Sequence, residues 1–450
     1  MGENTRLHRI TNEDLWEIWP MLDDDERLEW FGQLENVDAE DFFSSIPCED
    51  QVGLLEQFNE KNQRHYFRSL APDDAADVLQ LIDSDELRNK LKSYLPERTR
   101  KEVTALMAYE EDEAGGLMST RFARIRPDMH VDEAIAYVRK QVNDELETMY
   151  YIYVLDSANH LKGVVSFEEL FKSRGDIRIS DIMESDITTV DEEMDQEEIA
   201  ILFAREDYFA LPVVKQDPAS PGEKIMVGII TIDDIVDVVT EEATEDIQKM
   251  GGMAALDSDY TQASLREMYI KRVGWLVVLF LGTIVSTRAM AAYEDEMAKV
   301  IVLCTFVPLI TASGGNTGSQ AATMVTRAMA LGVLKLRDVL TVLKRELVVG
   351  SELGATLGLL GFIIVAIYHA LGLLSNNPAG FWPLAATISL SVFVLVLAGS
   401  ILGSMLPFLL KACRVDPASA SAPFVTTIVD ASGIVIYFTI ATLILGSVFG

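Results

Sequence analysis

The chain has 450 residues and a formal net charge of −33, from 70 acidic and 37 basic side chains. The excess acid lies almost entirely in the first part: 61 acids against 25 bases up to Tyr260, then 9 against 12 from Thr261 onward. So negative a region repels nucleic acid and anionic lipid and attracts polyvalent cations, unless it serves only as a solubilising surface.

Cys48, Cys304 and Cys413 are too far apart for a disulfide framework or a zinc site. The five histidines, His8, His65, His130, His160 and His369, form no nucleophile, base or metal pattern, so an enzyme is not expected. The N-terminal MGENTRLHRITNEDLWEIW has no apolar core flanked by positive charge, which predicts no cleavable signal and a cytosolic acidic part.

In chain order, the first signal is a repeat. MLDDDERLEWFGQL from Met21, IPCEDQVGLLEQF from Ile46, LAPDDAADVLQLI from Leu70 and LPERTRKEVTALM from Leu95 recur at about 25 residues. Each has an apolar start, an acidic or polar turn and apolar residues at helical spacing. This pattern predicts an α-helical superhelix over residues 1–112.

A second repeat alternates strand-like and helix-like patterns over 113–178 and 179–238. In both copies a β-rich run, a turn, Gly-Val-Val-Ser or Gly-Ile-Ile-Thr, and an acidic helix start follow in the same order. The arrangement resembles a tandem pair of cystathionine-β-synthase-type (CBS) domains, α+β regulatory modules that often dimerise and sometimes bind adenine nucleotides. Thr231-x-x-Asp234 is similar to that family's ribose-contacting pattern, with Ser166-x-x-Glu169 in the first copy. A helix N-cap followed by an acid accounts for both copies without a ligand.

From about residue 233, and through the connecting segment 239–268, DDIVDVVTEEATEDIQKMGGM has helical periodicity. Its acids Asp234, Asp237, Glu242, Glu245 and Asp246 include pairs three or four apart. Such pairs cost an isolated helix a few tenths of a kcal/mol each. Divalent cations would remove that repulsion, and Mg²⁺ suits the task because it takes carboxylate oxygens while keeping several waters. A solvated acidic helix is the alternative.

Residues 269–450 predict five spans, beginning near Lys271, Val300, Leu347, Pro383 and Thr426, each long enough for a hydrocarbon core about 30 Å thick. Lys271 and Arg272, the loop with Arg327, Lys335, Arg337, Lys344 and Arg345, and Lys411 with Arg414 mark one side as cytosolic. The C-terminus is then expected outside. Span two carries Pro308-Leu-Ile-Thr-Ala-Ser-Gly-Gly-Asn-Thr-Gly-Ser-Gln320. Its glycines fit close helix packing, while Asn316, Ser319, Gln320 and Thr323 predict a wall facing water or hydrated ions. Asp430 lies near the middle of FVTTIVDASGIVIYF in span five. An acid at that depth costs roughly 2.5–3.5 kcal/mol on insertion scales, so such residues usually line pathways. A protonated acid in an interhelical hydrogen bond is the alternative.

In this order the motifs resemble the MgtE-type magnesium channels, and the likeness runs along essentially the whole chain. The resemblance implies a homodimer in the cell membrane with a Mg²⁺ pore on its axis, lined by spans two and five, and closed when Mg²⁺ bridges the cytosolic acids. Carried over, the pore acid is Asp430, with Thr426, Asn316, Ser319, Gln320 and Thr323 lining the path and Asp416 near its cytosolic side. The cytosolic metal set becomes Asp73, Asp77, Asp195, Glu197, the Ala204 carbonyl, Asp207, Asp234, Asp237, Glu242, Glu245 and Asp246. Ala422 stands where some members have Asn. ATP at the CBS domains is a further implied ligand. Two other classes stay open: an ion-coupled divalent-cation carrier, which the lack of an inverted repeat disfavours, and a membrane-anchored nucleotide sensor, which leaves Asp430 and GGNTGSQ unexplained.

Overall fold

The computed structural model describes residues 11–449 apart from 111, 142–145, 207, 257–259, 261–262 and 375–377. It divides into two compact units, 1–240 and 241–450, with the boundary inside one helix, Ile232–Met250.

The predicted 25-residue repeat is a pair of helices. Asp24–Phe31, Cys48–Gln57, Pro72–Leu81 and Glu97–Leu106 are the four segments read from the sequence; Asn36–Ser45, Glu60–Ser69 and Asp85–Tyr94 alternate with them. Each helix packs on the next but one, giving two layers of a superhelix. Local chemistry sets the starts: Asp23 accepts the Glu26 amide at 2.9 Å while Glu26 returns a bond to the Asp23 amide. Pro72 occupies the first helical turn, where no amide is needed. Between the layers Phe31, Phe42, Phe43, Phe58 and Tyr66 form an aromatic core. The buried Arg27–Asp50 pair at 2.7 Å is completed by Trp19 Nε1, also 2.7 Å from Asp50.

Each CBS repeat contains a three-stranded sheet. In the first, β1 (Phe122–Ile125) runs parallel to β2 (Thr148–Leu155), which pairs antiparallel with β3 (Leu161–Ser166); in the second, β4 (Val190–Asp191), β5 (Ala210–Gln216) and β6 (Lys224–Thr231) repeat that topology. Helices Val131–Gln141 and Gln196–Glu206 make the parallel crossovers. The sheets exchange edges: the Ser119 amide donates to the Ile229 carbonyl at 2.8 Å, and Val164 and Glu184 exchange amide bonds of 2.9 Å each. Superhelix and second repeat share one apolar core. Ala114 and Gly115 donate to the carbonyls of Met194 and Glu192, and Tyr109 Oη donates to Glu192 at 2.7 Å.

The second unit is helical. Among the described residues, four of its helices are long and apolar enough to cross a membrane: Leu265–Ala291, Leu336–Ala370, Phe381–Ala412 and Ala422–Gly446. Val302–Ala330, which carries the predicted second span, is not among them. Its 29 residues suffice in length, but Ser313 to Gln320 dilute its apolar character. The polar run is tolerated because the helix lies between Phe381–Ala412 and Ala422–Phe449. Glycine makes that packing possible. A Cβ on Gly399 would stand 2.4 Å from the Gly314 carbonyl oxygen, and one on Gly403 only 2.0 Å from that of Gly318.

Candidate functional site

In the second unit, helices Val302–Ala330 and Ala422–Phe449, which carry the predicted spans two and five, meet through the GGNTGS segment. Ser319 Oγ lies 3.1 Å from both the Ala422 carbonyl and Thr426 Oγ1, and Thr426 Oγ1 donates to the same carbonyl at 2.9 Å. Gly315 faces Thr426, while Gly314 and Gly318 face Val429 and Val425. The buried side of the helix is therefore Gly314, Gly315, Thr317, Gly318, Ala321 and Ala322. Asn316, Gln320 and Thr323, at helical spacing, share the exposed side. Asp430, half-buried, follows Val429 by one residue. The position of Ala422 acts here through its main-chain carbonyl, so the absence of an Asn side chain leaves the span contact intact.

Just outside the spans, Asp416 caps the short turn before span five, accepting the Ala418 amide at 2.8 Å. Its other oxygen lies 2.7 Å from Lys249 Nζ, and the same ammonium is 2.5 Å from Glu245. The sequence reading missed this lysine, although Glu245 and Lys249 at i, i+4 are a readable helix pair. Burial disfavours the Lys249 charge, but its hydrogen bonds to Asp416 and Glu245 prevail and hold its pKa above the usual lysine value. Burial, then the Asp416 charge, push the neighbouring Asp246 up to about 6, with Lys249 opposing. The end of the connecting helix is docked beside this group: the Ala254 amide donates to the Lys271 carbonyl at 2.9 Å, and the Leu256 amide to Gln248 Oε1 at 2.7 Å. Gly252, at φ 79°, lies under Trp275 and Pro423, where a Cβ would come within 2.9 Å of the indole.

In the first unit, four acids from three elements come within electrostatic reach of one another. Asp73 and Asp74 start helix Pro72–Leu81, Glu147 precedes β2, and Asp234 begins the helix after β6. Burial first, then the charges of Asp74, Glu147 and Asp234, raise the Asp73 carboxyl well above the usual range. Its Oδ1 is buried without a hydrogen-bond partner. Asp74 is pushed up to about 6 by burial and Glu147, against Arg121. Asp234 also reaches about 6 through burial, against its bonds from Thr231. Asp74 and Glu147 were not singled out from the sequence, because their relevance lies in a contact 73 positions apart in the chain.

Asp77 lies one turn beyond Asp73 on the same helix, and Asp237 one turn beyond Asp234, exposed. Asp195 and Glu197 stand at the start of helix Gln196–Glu206, both exposed, with Asp195 Oδ1 accepting the Glu197 amide at 2.9 Å. Ala204 is in the last turn of that helix, and Asp207 lies outside the described residues. Glu242 is half-buried on the connecting helix, one turn before Glu245 and Asp246. Among the described residues, no three His, Cys, Asp or Glu side chains form a group that could hold a metal ion.

Thr231 and Asp234 close on each other, the hydroxyl donating to Asp234 Oδ2 at 2.7 Å; Ser166 caps its helix through the Glu169 amide at 3.1 Å. A different feature of the CBS pair is an aromatic cleft. A cleft of about 700 Å³ is lined by Tyr150, Tyr151, Phe167, Phe171, Lys172 and Phe209. Tyr150 and Phe209 stack there at 4.9 Å between ring centres.

Comparisons with known proteins cover the same segments. The family of divalent cation transporters called MgtE matches residues 307–440, the MgtE intracellular N domain matches 10–112, and the CBS domain matches 114–176 and 179–241. The magnesium transporter MgtE of Thermus thermophilus is 36% identical over 444 residues, 98% of this chain and 95% of that protein. The magnesium transporter MgtE of Enterococcus faecalis is 31% identical over 457 residues, 92% of this chain and 96% of that one. A crystal structure of the cytosolic domain of the Mg²⁺ channel MgtE in complex with ATP is 36% identical, covering 51% of this chain and 90% of that one at a TM-score of 0.47.

Proposed function

Because this chain belongs to the MgtE family of magnesium transporters, we propose that it is a Mg²⁺ channel of the cell membrane, closed from the cytosol when Mg²⁺ binds its acidic domains. Its family transports ions and is not one of enzymes. The observation that carries the reading is the fit of GGNTGS against the first turns of span five, which leaves Asn316, Gln320 and Thr323 as an exposed polar face on the helix beside Asp430.

In a homodimer the two copies of this face would meet on the axis, bringing two Asp430 carboxylates together. Two such charges in one site ionise cheaply only around a cation. Mg²⁺ gives up its water reluctantly, so one carboxylate per subunit plus hydroxyls, amides and carbonyls would hold the hydrated ion through its shell and still release it. Such a site needs few direct ligands. The positive loop residues Arg327, Lys335, Arg337, Lys344 and Arg345 orient the acidic unit toward the cytosol and the C-terminus outward.

Closure rests on the acids whose charge the fold penalises. The buried Oδ1 of Asp73, without a hydrogen-bond partner, and the raised carboxyls of Asp74 and Asp234 bring hard oxygens within electrostatic reach of one another without forming a ready-made site, so Mg²⁺ would bridge them through its waters. Asp77 and Asp237, one turn away, extend this set; Asp195, Glu197, the Ala204 carbonyl and Asp207 would form a separate group, and Glu242, Glu245, Asp246 and Asp416 another. Mg²⁺ supplies positive charge that removes like-charge repulsion, so the bound state is the compact, closed one. The test is flux through purified protein in liposomes: Mg²⁺ entry should fall at millimolar Mg²⁺ on the cytosolic face, and the Mg²⁺ needed should rise severalfold in Asp73→Asn. Closure unchanged in that variant would contradict the assignment.

An adenine nucleotide is a second proposed ligand, favoured by the aromatic cleft of the CBS pair. Tyr150 and Phe209 would take a planar base, and Lys172, bound to Glu168, would turn to phosphate. Phe209→Ala should weaken ATP binding at least about fivefold by calorimetry, since loss of base stacking on an aromatic side chain costs roughly 1–3 kcal/mol.

A further inference from the structure

The turn between β2 and β3 and the turn between β5 and β6 hold equivalent places in the two CBS repeats, and they meet around one imidazole. His160 Nδ1 is 2.9 Å from Asp156 Oδ2, and Nε2 is 3.0 Å from Asp217 Oδ2. The His160 side chain is 10% exposed. Both carboxylates are fixed as acceptors by their own turns. Asp156 Oδ1 takes the amides of Ala158 and His160 at 2.8 and 3.0 Å, and Asp217 Oδ1 takes that of Ala219 at 2.8 Å. Asn159, at φ 64°, supplies the left-handed residue that the first turn needs, and its carbonyl accepts the Met226 amide across the seam at 3.1 Å. The remaining charges facing this point are Lys162 on β3, 3.6 Å from Asp156 and 2.6 Å from Glu223, and Glu223 itself in the second turn.

A neutral imidazole has one N–H and one lone pair, whereas the imidazolium donates from both nitrogens. With a carboxylate at each nitrogen, only the protonated ring satisfies both. We propose that His160 is a proton-dependent latch joining the two CBS repeats: protonated, it ties the Asp156 turn to the Asp217 turn, and deprotonated, it turns a lone pair toward one of them. None of these residues belongs to the acids assigned above to Mg²⁺. Lys162 offsets part of the negative charge but reaches Asp156 and Glu223, so that His160 is the cation that meets Asp217, beside its bonds from Ala219 and Ser220. The hydrogen bonds to Asp217 and Asp156 outweigh burial and hold the imidazole above its usual 6.5. The latch is therefore complete below about pH 6.5 and is lost as pH rises through the higher value of the folded chain. Since β6 runs directly into helix Ile232–Met250, the proton acts on the strand that leads into the connecting acids.

Hydrogen exchange by mass spectrometry on the full-length protein tests this, reading peptides across 156–164 and 217–227 with intrinsic pH effects removed. At about pH 6 His160→Gln should exchange at least about tenfold faster than the wild type in both peptides, and near pH 9 the two should coincide. Equal protection at pH 6, or a difference as large at pH 9, would overturn the proposal. If His160→Gln does not fold, Asp217→Asn is read in the same way. It should remove most of the wild type's pH dependence, and an unchanged dependence would equally overturn the latch. The readout requires no transport, so it stands apart from the channel reading.

Discussion

At the residue scale, Asp74 and Asp234 are acids whose charge the fold penalises. Each is pushed up to about 6 from an ordinary 3.8, mainly by burial. The folded chain then binds more protons than the unfolded one between pH 3.8 and about 6, and its stability falls as pH rises through that window. A shift of about two units corresponds to ~3 kcal/mol as an upper bound for one such group. Above pH 6 the penalty is fully present, and on the proposed reading Mg²⁺ would remove it. Without Mg²⁺, the melting temperature of the first unit should drop between pH 4.5 and 6.5; millimolar Mg²⁺ should restore it at pH 7 and have little effect at pH 4.5. Asp73→Asn should raise Mg²⁺-free stability and shrink the Mg²⁺-induced gain, as calorimetry would show. A destabilised variant with an undiminished gain would assign Asp73 a merely structural role. In the sequence Asp73, Asp234 and Asp430 each sit in a readable local pattern. Asp74, Glu147, Lys249 and His160 were not legible, because their meaning lies in partners 57 to 167 positions away, which no local spacing records.

At the scale of elements, two packings decide the behaviour of the membrane unit. The first is the backbone contact of Gly314 with Gly399 and of Gly318 with Gly403. Gly403→Ala would place a methyl 2.0 Å from a carbonyl oxygen, so it should destabilise by about 1–3 kcal/mol through overpacking and reduce Mg²⁺ flux with span two displaced; melting in detergent and flux in liposomes check the pair. The second is the Lys249 tie between the connecting helix and Asp416. Its partly exposed ion pairs contribute only about 1 kcal/mol at most. Lys249→Gln should therefore lower Mg²⁺-free stability slightly but enlarge the Mg²⁺-induced gain, because Glu245, Asp246 and Asp416 lose their own cation. An unchanged gain would mean these acids do not bind Mg²⁺. The sequence announced the acidic helix and the small residues of span two. It also predicted a second apolar span where the helix proves polar enough to depend on its neighbours, since hydropathy records composition and not the face that is covered.

For the whole molecule, the order of modules was readable because each has its own period: about 25 residues for the superhelix, strand alternation for the sheets, and long apolar runs for the spans. The second helix of each superhelical repeat, such as Asn36–Ser45, escaped because its start lacks the proline that opens three of the four segments read, Pro47, Pro72 and Pro96. The sequence also placed the candidate nucleotide contact on Thr231 and Asp234, whereas the aromatic cleft is assembled from both CBS repeats and has no local motif. On the proposed reading the modules make a pore with its own cation gauge, in which acids penalised by burial would report cytosolic Mg²⁺ and the span-five acid would receive the ion. The most direct test is Mg²⁺ flux through purified Asp430→Asn in liposomes, beside a wild type of the same oligomeric state and melting temperature. The account predicts loss of nearly all flux with folding intact. Flux at the wild-type rate would contradict it.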